Sequence, residues 1–285
     1  INKLYAGIAD KKGVDFIDRL KVRASFGLSG NDDLAPYAWT TYLASERYMD
    51  RANALVIDNF GNDQIQWETS AKLNFGVDAN MLNDRLALTF DIYNSNTTNL
   101  LTILETPSIV GDKYYWGNSG ELRNAGFEAS TRIKLVNRKN LKWELAASVG
   151  HYKNEITSLP NGSFTTSMYN AEVLSSEGNP AGVFYGYKSL GVFSTQDVAS
   201  EANLKIVDRD GNESFFTAGD IHFEDVNSDG IINDEDKQII GDPNPDIYGS
   251  FSTMLAYKNF SLDAYFTYSY GNDVYNYLRS QLESG

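Results

Sequence analysis

The chain has no cysteine, two histidines and six prolines among its 285 residues. Without cysteine there is no disulfide framework, no thiolate metal site and no cysteine nucleophile. Basic residues are outnumbered 24 to 38, a formal net charge of −14. Nucleic-acid binding draws on clustered Lys and Arg, so this balance argues against it. No apolar run approaches the roughly 18 residues of a membrane-spanning helix. That absence excludes helices in a bilayer, not strands. The chain opens on Ile1-Asn2-Lys3, with no basic stretch leading into an apolar one, so no signal peptide is read here. Residues 280–285 are a plain polar tail. Both ends read as cuts inside a longer chain. What is plentiful is aromatic: 18 Tyr and 15 Phe, with 23 Gly. Such a chain fits a β-barrel as well as a soluble β-domain.

Apolar and polar residues alternate in seven segments, the signature of strands. The apolar sets are Leu20 to Leu28, Ala71 to Ala79, Leu86 to Ile92, Phe127 to Leu135, Leu141 to Val149, a weaker Ile247 to Leu255, and Phe260 to Tyr268. The polar sets carry full charges at mid-strand: Arg23, Asp78, Asp91, Arg132, Glu144 and Asp263. Strands of about 9–11 residues match a tilted bilayer crossing. Tyr93, Trp143, Tyr152, Tyr248, Tyr257, Phe260 and Tyr270 fall near strand ends, where interfacial girdles sit.

The loops decide between barrel and sandwich. Three connections are tight and rich in Asn or Asp: Leu82-Asn83-Asp84-Arg85, Asn137-Arg138-Lys139-Asn140 and Tyr257-Lys258-Asn259-Phe260. The alternate connections, 29–66, 95–121 and 153–246, are long. Antiparallel strands alternate in direction, so the tight turns share one edge and the long loops the other. Outer-membrane barrels sort their loops this way, with short periplasmic turns and long extracellular loops. Loop 153–246 is too long to lack structure of its own. Its segments 182–188 and 191–193 are expected to form a short hairpin.

Residues 225–236 read Asp-Val-Asn-Ser-Asp-Gly-Ile-Ile-Asn-Asp-Glu-Asp. This matches the twelve-residue EF-hand-type loop for a hard cation. Asp225, Asn227 and Asp229 offer side-chain oxygens at positions 1, 3 and 5. Gly230 permits the sharp turn, and Ile231 offers its carbonyl at position 7. Asn233 acts at position 9, and Asp236 closes at position 12 where Glu is usual. Asp220 to Glu224 reads as strand, so a paired EF-hand sensor is not expected. The expected role is structural: Ca²⁺ tying down an extracellular loop.

Four stretches resemble the C-terminal part of SusC/RagA-type TonB-dependent outer-membrane transporters. They are Gly219-Asp-Ile-His-Phe-Glu-Asp through Asp236, Ile240-Gly-Asp-Pro-Asn-Pro-Asp-Ile-Tyr-Gly-Ser-Phe251, Tyr257-Lys-Asn-Phe-Ser-Leu262 and Tyr270-Gly-Asn-Asp-Val-Tyr-Asn276. Upstream, Leu20 to Gly27, Trp67-Glu68, Asn118 to Glu128 and Glu177 to Tyr187 are similar to the same family. The resemblance implies an all-β fold: part of a 22-stranded antiparallel transmembrane β-barrel with long extracellular loops, closed around an N-terminal plug. It implies that residues 1–285 are the C-terminal portion of that barrel, with the plug and the closing strand outside the chain. It also implies TonB-dependent import of glycan or peptide nutrients across the outer membrane, with a SusD-like surface lipoprotein as lid. A fragment of such a barrel has two open edges.

Enzyme chemistry has little to build on. His151 and His222 are the only imidazoles, and no G-x-S-x-G elbow or nucleotide-binding glycine motif is present. The chain reads as no enzyme. Tyr114, Tyr115, Trp116, Phe184, Tyr185 and Tyr187 are loop aromatics suited to stacking on sugar rings or meeting the lid protein; packing among the loops is the competing role. The alternative functions are a soluble extracellular Ca²⁺-binding β-domain that takes carbohydrate, and a passive outer-membrane barrel in contact with lipid.

Overall fold

A computed structural model of the chain describes residues 16–48, 52–105, 114–208 and 210–283. The opening tripeptide, the end of the polar tail and the Tyr114 side chain lie outside the described residues. Two units are distinguished.

In the first unit seven long strands form one antiparallel sheet. They are β1 (Ile17–Asn31), β2 (Glu68–Met81), β3 (Leu86–Thr98), β4 (Glu121–Arg138), β5 (Leu141–Ser158), β6 (Ile247–Tyr257) and β7 (Phe260–Tyr270). Their order in the sheet is their order in the chain. All seven alternating segments are therefore strands. The expected length of 9–11 residues holds for β6 and β7, at 11 each, but β4 and β5 run to 18. The ladder continues past the alternating stretch because each strand still satisfies its neighbour's main-chain groups. His151 consequently lies inside β5, opposite Phe127.

Register aligns the alternation across the whole sheet. One row reads Val22, Val77, Phe90, Ala129, Val149, Gly249, Tyr268. The next reads Lys21, Asp78, Thr89, Ser130, Ser148, Ser250, Thr267. Successive rows point to opposite faces, so one face is apolar and the other polar from β1 to β7. The apolar face is not covered: Phe26 is 69% exposed and Phe266 59%. Large contiguous apolar surface of this kind is foreign to a water-facing sheet.

The connections sort as expected. Turns at 82–85, 139–140 and 258–259 lie on one edge, and 32–67, 99–120 and 159–246 leave from the other. Leu82, Asn83 and Asp84 all take left-handed backbone, with φ of 60°, 58° and 57°. Asp18 helps to hold that turn by accepting the Asp84 N–H at 2.8 Å.

The second unit comprises residues 163–244 and the segment from Asn272. Its main sheet runs Phe164–Met168, Ala171–Ser175, Val183–Tyr187, Lys237–Gly241. The hairpin expected from 182–188 and 191–193 does not form. Val183–Tyr187 pairs with Ala171–Ser175 and Lys237–Gly241, whereas Ser189–Val192 pairs with Ile221–Phe223. A single residue, Lys188, separates the two segments, fewer than the two a reverse turn requires. A short helix α1 (Gln196–Ala202) starts at Thr195, whose side chain caps the Val198 N–H, and stops at left-handed Asn203. Phe193, Ala199, Leu204 and Ile232 form the buried core, with Tyr187, Phe216 and Phe223 packed on it. Helix α2 (Tyr277–Glu283) follows at the chain's end.

Candidate functional site

On the polar face of the sheet, charged and aromatic side chains reach past their nearest neighbours. Arg23 donates Nε and Nη2 to the two carboxylate oxygens of Asp78, at 2.9 and 3.0 Å. Its Nη2 also reaches Asp91 Oδ2 at 2.8 Å, although Asp91 is two strands away on β3. Gly76 stands between them in the register and leaves the path open. A Cβ on Gly76 would run into Asp91 Oδ1 and lie 2.7 Å from Arg23 Cζ.

The same device recurs in mirror image. Tyr248 on β6 donates its hydroxyl to Glu128 Oε1 on β4 at 2.8 Å. Gly150 of β5 lies between, and a Cβ there would sit 2.5 Å from Tyr248 Cζ. The ring is therefore laid across the glycine. Tyr152 meets it edge-on with ring centres 5.9 Å apart. A cavity of about 210 Å³ opens beside this ring, lined by Glu128, Ser130, Ser148 and Gly150 among others. The mid-strand charges at 23, 78 and 91 marked this face in the sequence; the part played by Gly76, Gly150, Glu128 and Tyr248 shows only once register is known.

In the second unit the 225–236 loop is curled by its own acids. Asp225 accepts the Ser228 and Gly230 N–H groups at 2.7 and 2.8 Å. Asn227 accepts from Asp229, and Asp229 from Ile231, at 3.0 and 2.7 Å. Asp236 is wholly buried, and its two oxygens take the N–H groups of Val226 and Asn233, at 2.9 and 2.8 Å. It ties the loop's entry to its exit. Among the described residues no three Asp, Glu or His side chains converge as a ready cation cage. The donor set nevertheless suits a hard cation, since it is all oxygen and each carboxylate oxygen keeps a second lone pair.

Lys237 leads from that loop into the main sheet. It bonds both oxygens of Glu172, at 3.2 and 3.0 Å, and Asp234 at 3.1 Å. The Glu172 hydrogen bonds hold its ammonium above the ordinary value, and Lys237 in turn holds Asp234 below the usual carboxylate range. Burial pushes the Tyr187 phenol up.

The candidate aromatics divide between the units. Tyr114–Asn118 is a strand of the first unit, and Phe184, Tyr185 and Tyr187 lie on one strand of the second. Tyr115, Trp116, Phe184, Tyr185 and Tyr187 are all half-buried. Tyr115 packs edge-on against Phe60 at 6.3 Å, and Tyr187 packs at a tilt against Phe223 at 5.6 Å. Loop packing thus accounts for these two rings. His151 Nδ1 lies 2.6 Å from the Asp246 carbonyl and His222 stacks on Phe193 at 4.4 Å, both structural placements.

Residues 6–278 match the family described as TonB dependent receptor-like, beta-barrel. TonB-dependent receptor P3 of Formosa agariphila is 32% identical over 284 residues, which are 96% of this chain and 28% of that protein. TonB-dependent receptor SusC of Bacteroides thetaiotaomicron is 28% identical over 277 residues, 93% of this chain and 26% of that protein. This chain therefore spans little more than a quarter of the curated relatives' length. Among solved structures, the RagAB peptide importer in its closed-closed state superposes with a TM-score of 0.73 at 23% identity, over 94% of this chain and 28% of that one. That likeness is one of fold. With strand order, sorted loops and the continuous apolar face on the same side of the argument, the chain belongs to the TonB dependent receptor-like, beta-barrel family.

Proposed function

We propose that these residues are the C-terminal wall of a 22-stranded SusC/RagA-type barrel that imports glycan or peptide nutrients through the outer membrane. The observation that carries this reading is the apolar face, which stays continuous across seven strands and exposed along them. Placed against lipid, it supplies the hydrocarbon-facing band, and the charged rows then face a hydrated lumen. The outer edges of β1 and β7 pair with no further strand among the described residues. In the full barrel they continue into the remaining wall, which removes the edge hazard. TonB supplies the energy through a segment outside this chain, and a SusD-like lipoprotein closes the long-loop side.

The full-length gene tests the reading. Cells should accumulate a labelled nutrient from a glycan and peptide panel only when this gene and TonB are both intact. Accumulation that survives loss of TonB would overturn it. Co-purification of a surface lipoprotein tests the lid. Loop 225–236 is proposed to hold a structural Ca²⁺, filled at the millimolar calcium outside cells. Calorimetry should show heat on calcium addition that is lost in Asp229→Ala; no heat at millimolar calcium removes the site.

A further inference from the structure

We propose that Tyr248 and Glu128 form a saccharide subsite on the polar face, with the Tyr248 ring as stacking platform. This rests on that face lining the lumen. Tyr248 is the second residue of β6, next to the long-loop edge, so the subsite lies toward the open side of the wall. One face of the ring lies on Gly150, where there is no side chain to lift it. The hydroxyl is pinned by Glu128 Oε1 at 2.8 Å. A ring held at its hydroxyl end, over Gly150 and by Glu128, presents a flat, pre-organised surface to the cavity it lines. The electron-rich face of an aromatic ring attracts C–H groups, and a sugar ring presents such groups on its apolar side.

The surroundings suit hydroxyl donors. Glu128 spends Oε1 on Tyr248, and Oε2 has no hydrogen bond among those described. Ser130 and Ser148 line the same cavity. Its volume, about 210 Å³, is below the roughly 300–1,000 Å³ of pockets for drug-sized ligands, which fits one ring of a chain rather than an enclosed ligand. Asp91 adds little acceptance, because Oδ2 is held by Arg23 and Oδ1 is buried against Gly76. Peptides are commonly read by adding a strand to a free edge, but β4, β5 and β6 have both edges paired. Recognition here falls to side chains, and those present are a flat ring, a carboxylate and hydroxyls.

The test uses the full-length protein in detergent, probed on an array of neutral oligosaccharides and a matched array of hexapeptides. The wild type should retain at least one oligosaccharide. Tyr248→Ala should weaken that retention about tenfold, the worth of one lost stacking contact. Tyr248→Phe, which keeps the ring, should lose only a fewfold, and Glu128→Gln guards against a misfolded alanine variant by weakening retention without removing the ring. Binding of peptides alone, no oligosaccharide retained, or retention at the wild-type level by Tyr248→Ala and Glu128→Gln overturns the subsite. TonB-dependent uptake that persists in such a case leaves the transport reading standing; uptake independent of TonB defeats that reading separately.

Discussion

Asn118 gathers three hydrogen bonds on one side chain among the described residues of the first unit, and its removal has a calculable effect. Its Oδ1 accepts the Gln66 N–H at 2.7 Å, and its Nδ2 donates to the carbonyls of Gln66 at 2.7 Å and Asn99 at 2.8 Å. Three segments distant in sequence are joined by one side chain. The stitch also sets the candidate aromatics, since Asn62 bonds the Trp116 carbonyl next door and Phe60 packs on Tyr115. A net hydrogen bond is worth about 0.5–1.5 kcal/mol, so three give about 1.5–4.5 kcal/mol. The site is exposed and water replaces part of this, which brings the expectation for Asn118→Ala to about 1.5–3 kcal/mol. Local opening at Gln66 should then become roughly 10- to 150-fold more frequent. Hydrogen exchange of the full-length protein reads this directly at residues 64–68 and 99–101. Gln66→Ala is the control: the bonds at issue use its main chain, and its own side chain makes only a 3.5 Å contact to Asn99. Exchange that is unchanged in Asn118→Ala, or raised equally in Gln66→Ala, would refute the reasoning.

Three further outcomes follow from the fold. Phe90→Arg places a charge on the apolar face and should cost about 2–4 kcal/mol in folding into lipid vesicles, while Thr89→Arg on the polar face should be nearly silent; equal effects would mean the faces are misassigned. Gly76→Ala should cost about 1–3 kcal/mol in denaturant titrations by forcing Arg23 from Asp91, whereas Gly27→Ala, with open space around it, should not separate from wild type beyond about 0.5 kcal/mol. Asp208 is held below its ordinary value of 3.8, chiefly by the Asn212 side chain and then by the N–H groups of Asn212 and Asp210. A depressed carboxylate stabilises its turn above the unfolded value and loses that support as pH falls through the lower folded one. Exchange at Asp210 and Asn212, corrected for intrinsic rates, should therefore rise only below about pH 3.8, and Asp208→Asn should flatten the response.

The seven strands were legible because their signal is local. Alternation in Ala71 to Ala79 needs no knowledge of a partner, and neither do Asn83-Asp84 or Lys258-Asn259 as turns. The cation-loop motif was legible for the same reason, being one contiguous run. What stayed hidden depends on partners far along the chain. The strand Val183–Tyr187 finds Lys237–Gly241 across the whole intervening excursion, so its sequence alone suggested a hairpin with its nearest neighbour. Asp236 reads as a ligand in the motif, but its burial and its two main-chain partners at Val226 and Asn233 give it a tethering role that spacing does not reveal.

The polar face carries the deeper lesson about charge in a sheet. Asp91 and Glu128 are directly opposite one another on β3 and β4. Like charges so placed destabilise a pair of strands. Neither acid has an oppositely charged neighbour on the strand beside it: Asp91 faces Gly76 on β2, and Glu128 faces Gly150 on β5. Each glycine is the gap through which relief arrives from one strand further out, as a guanidinium for Asp91 and a phenol for Glu128. Any residue with a side chain at 76 or 150 would block the reach and leave the two carboxylates against each other. The glycines, weak strand formers in themselves, are therefore what makes the acidic pair tolerable.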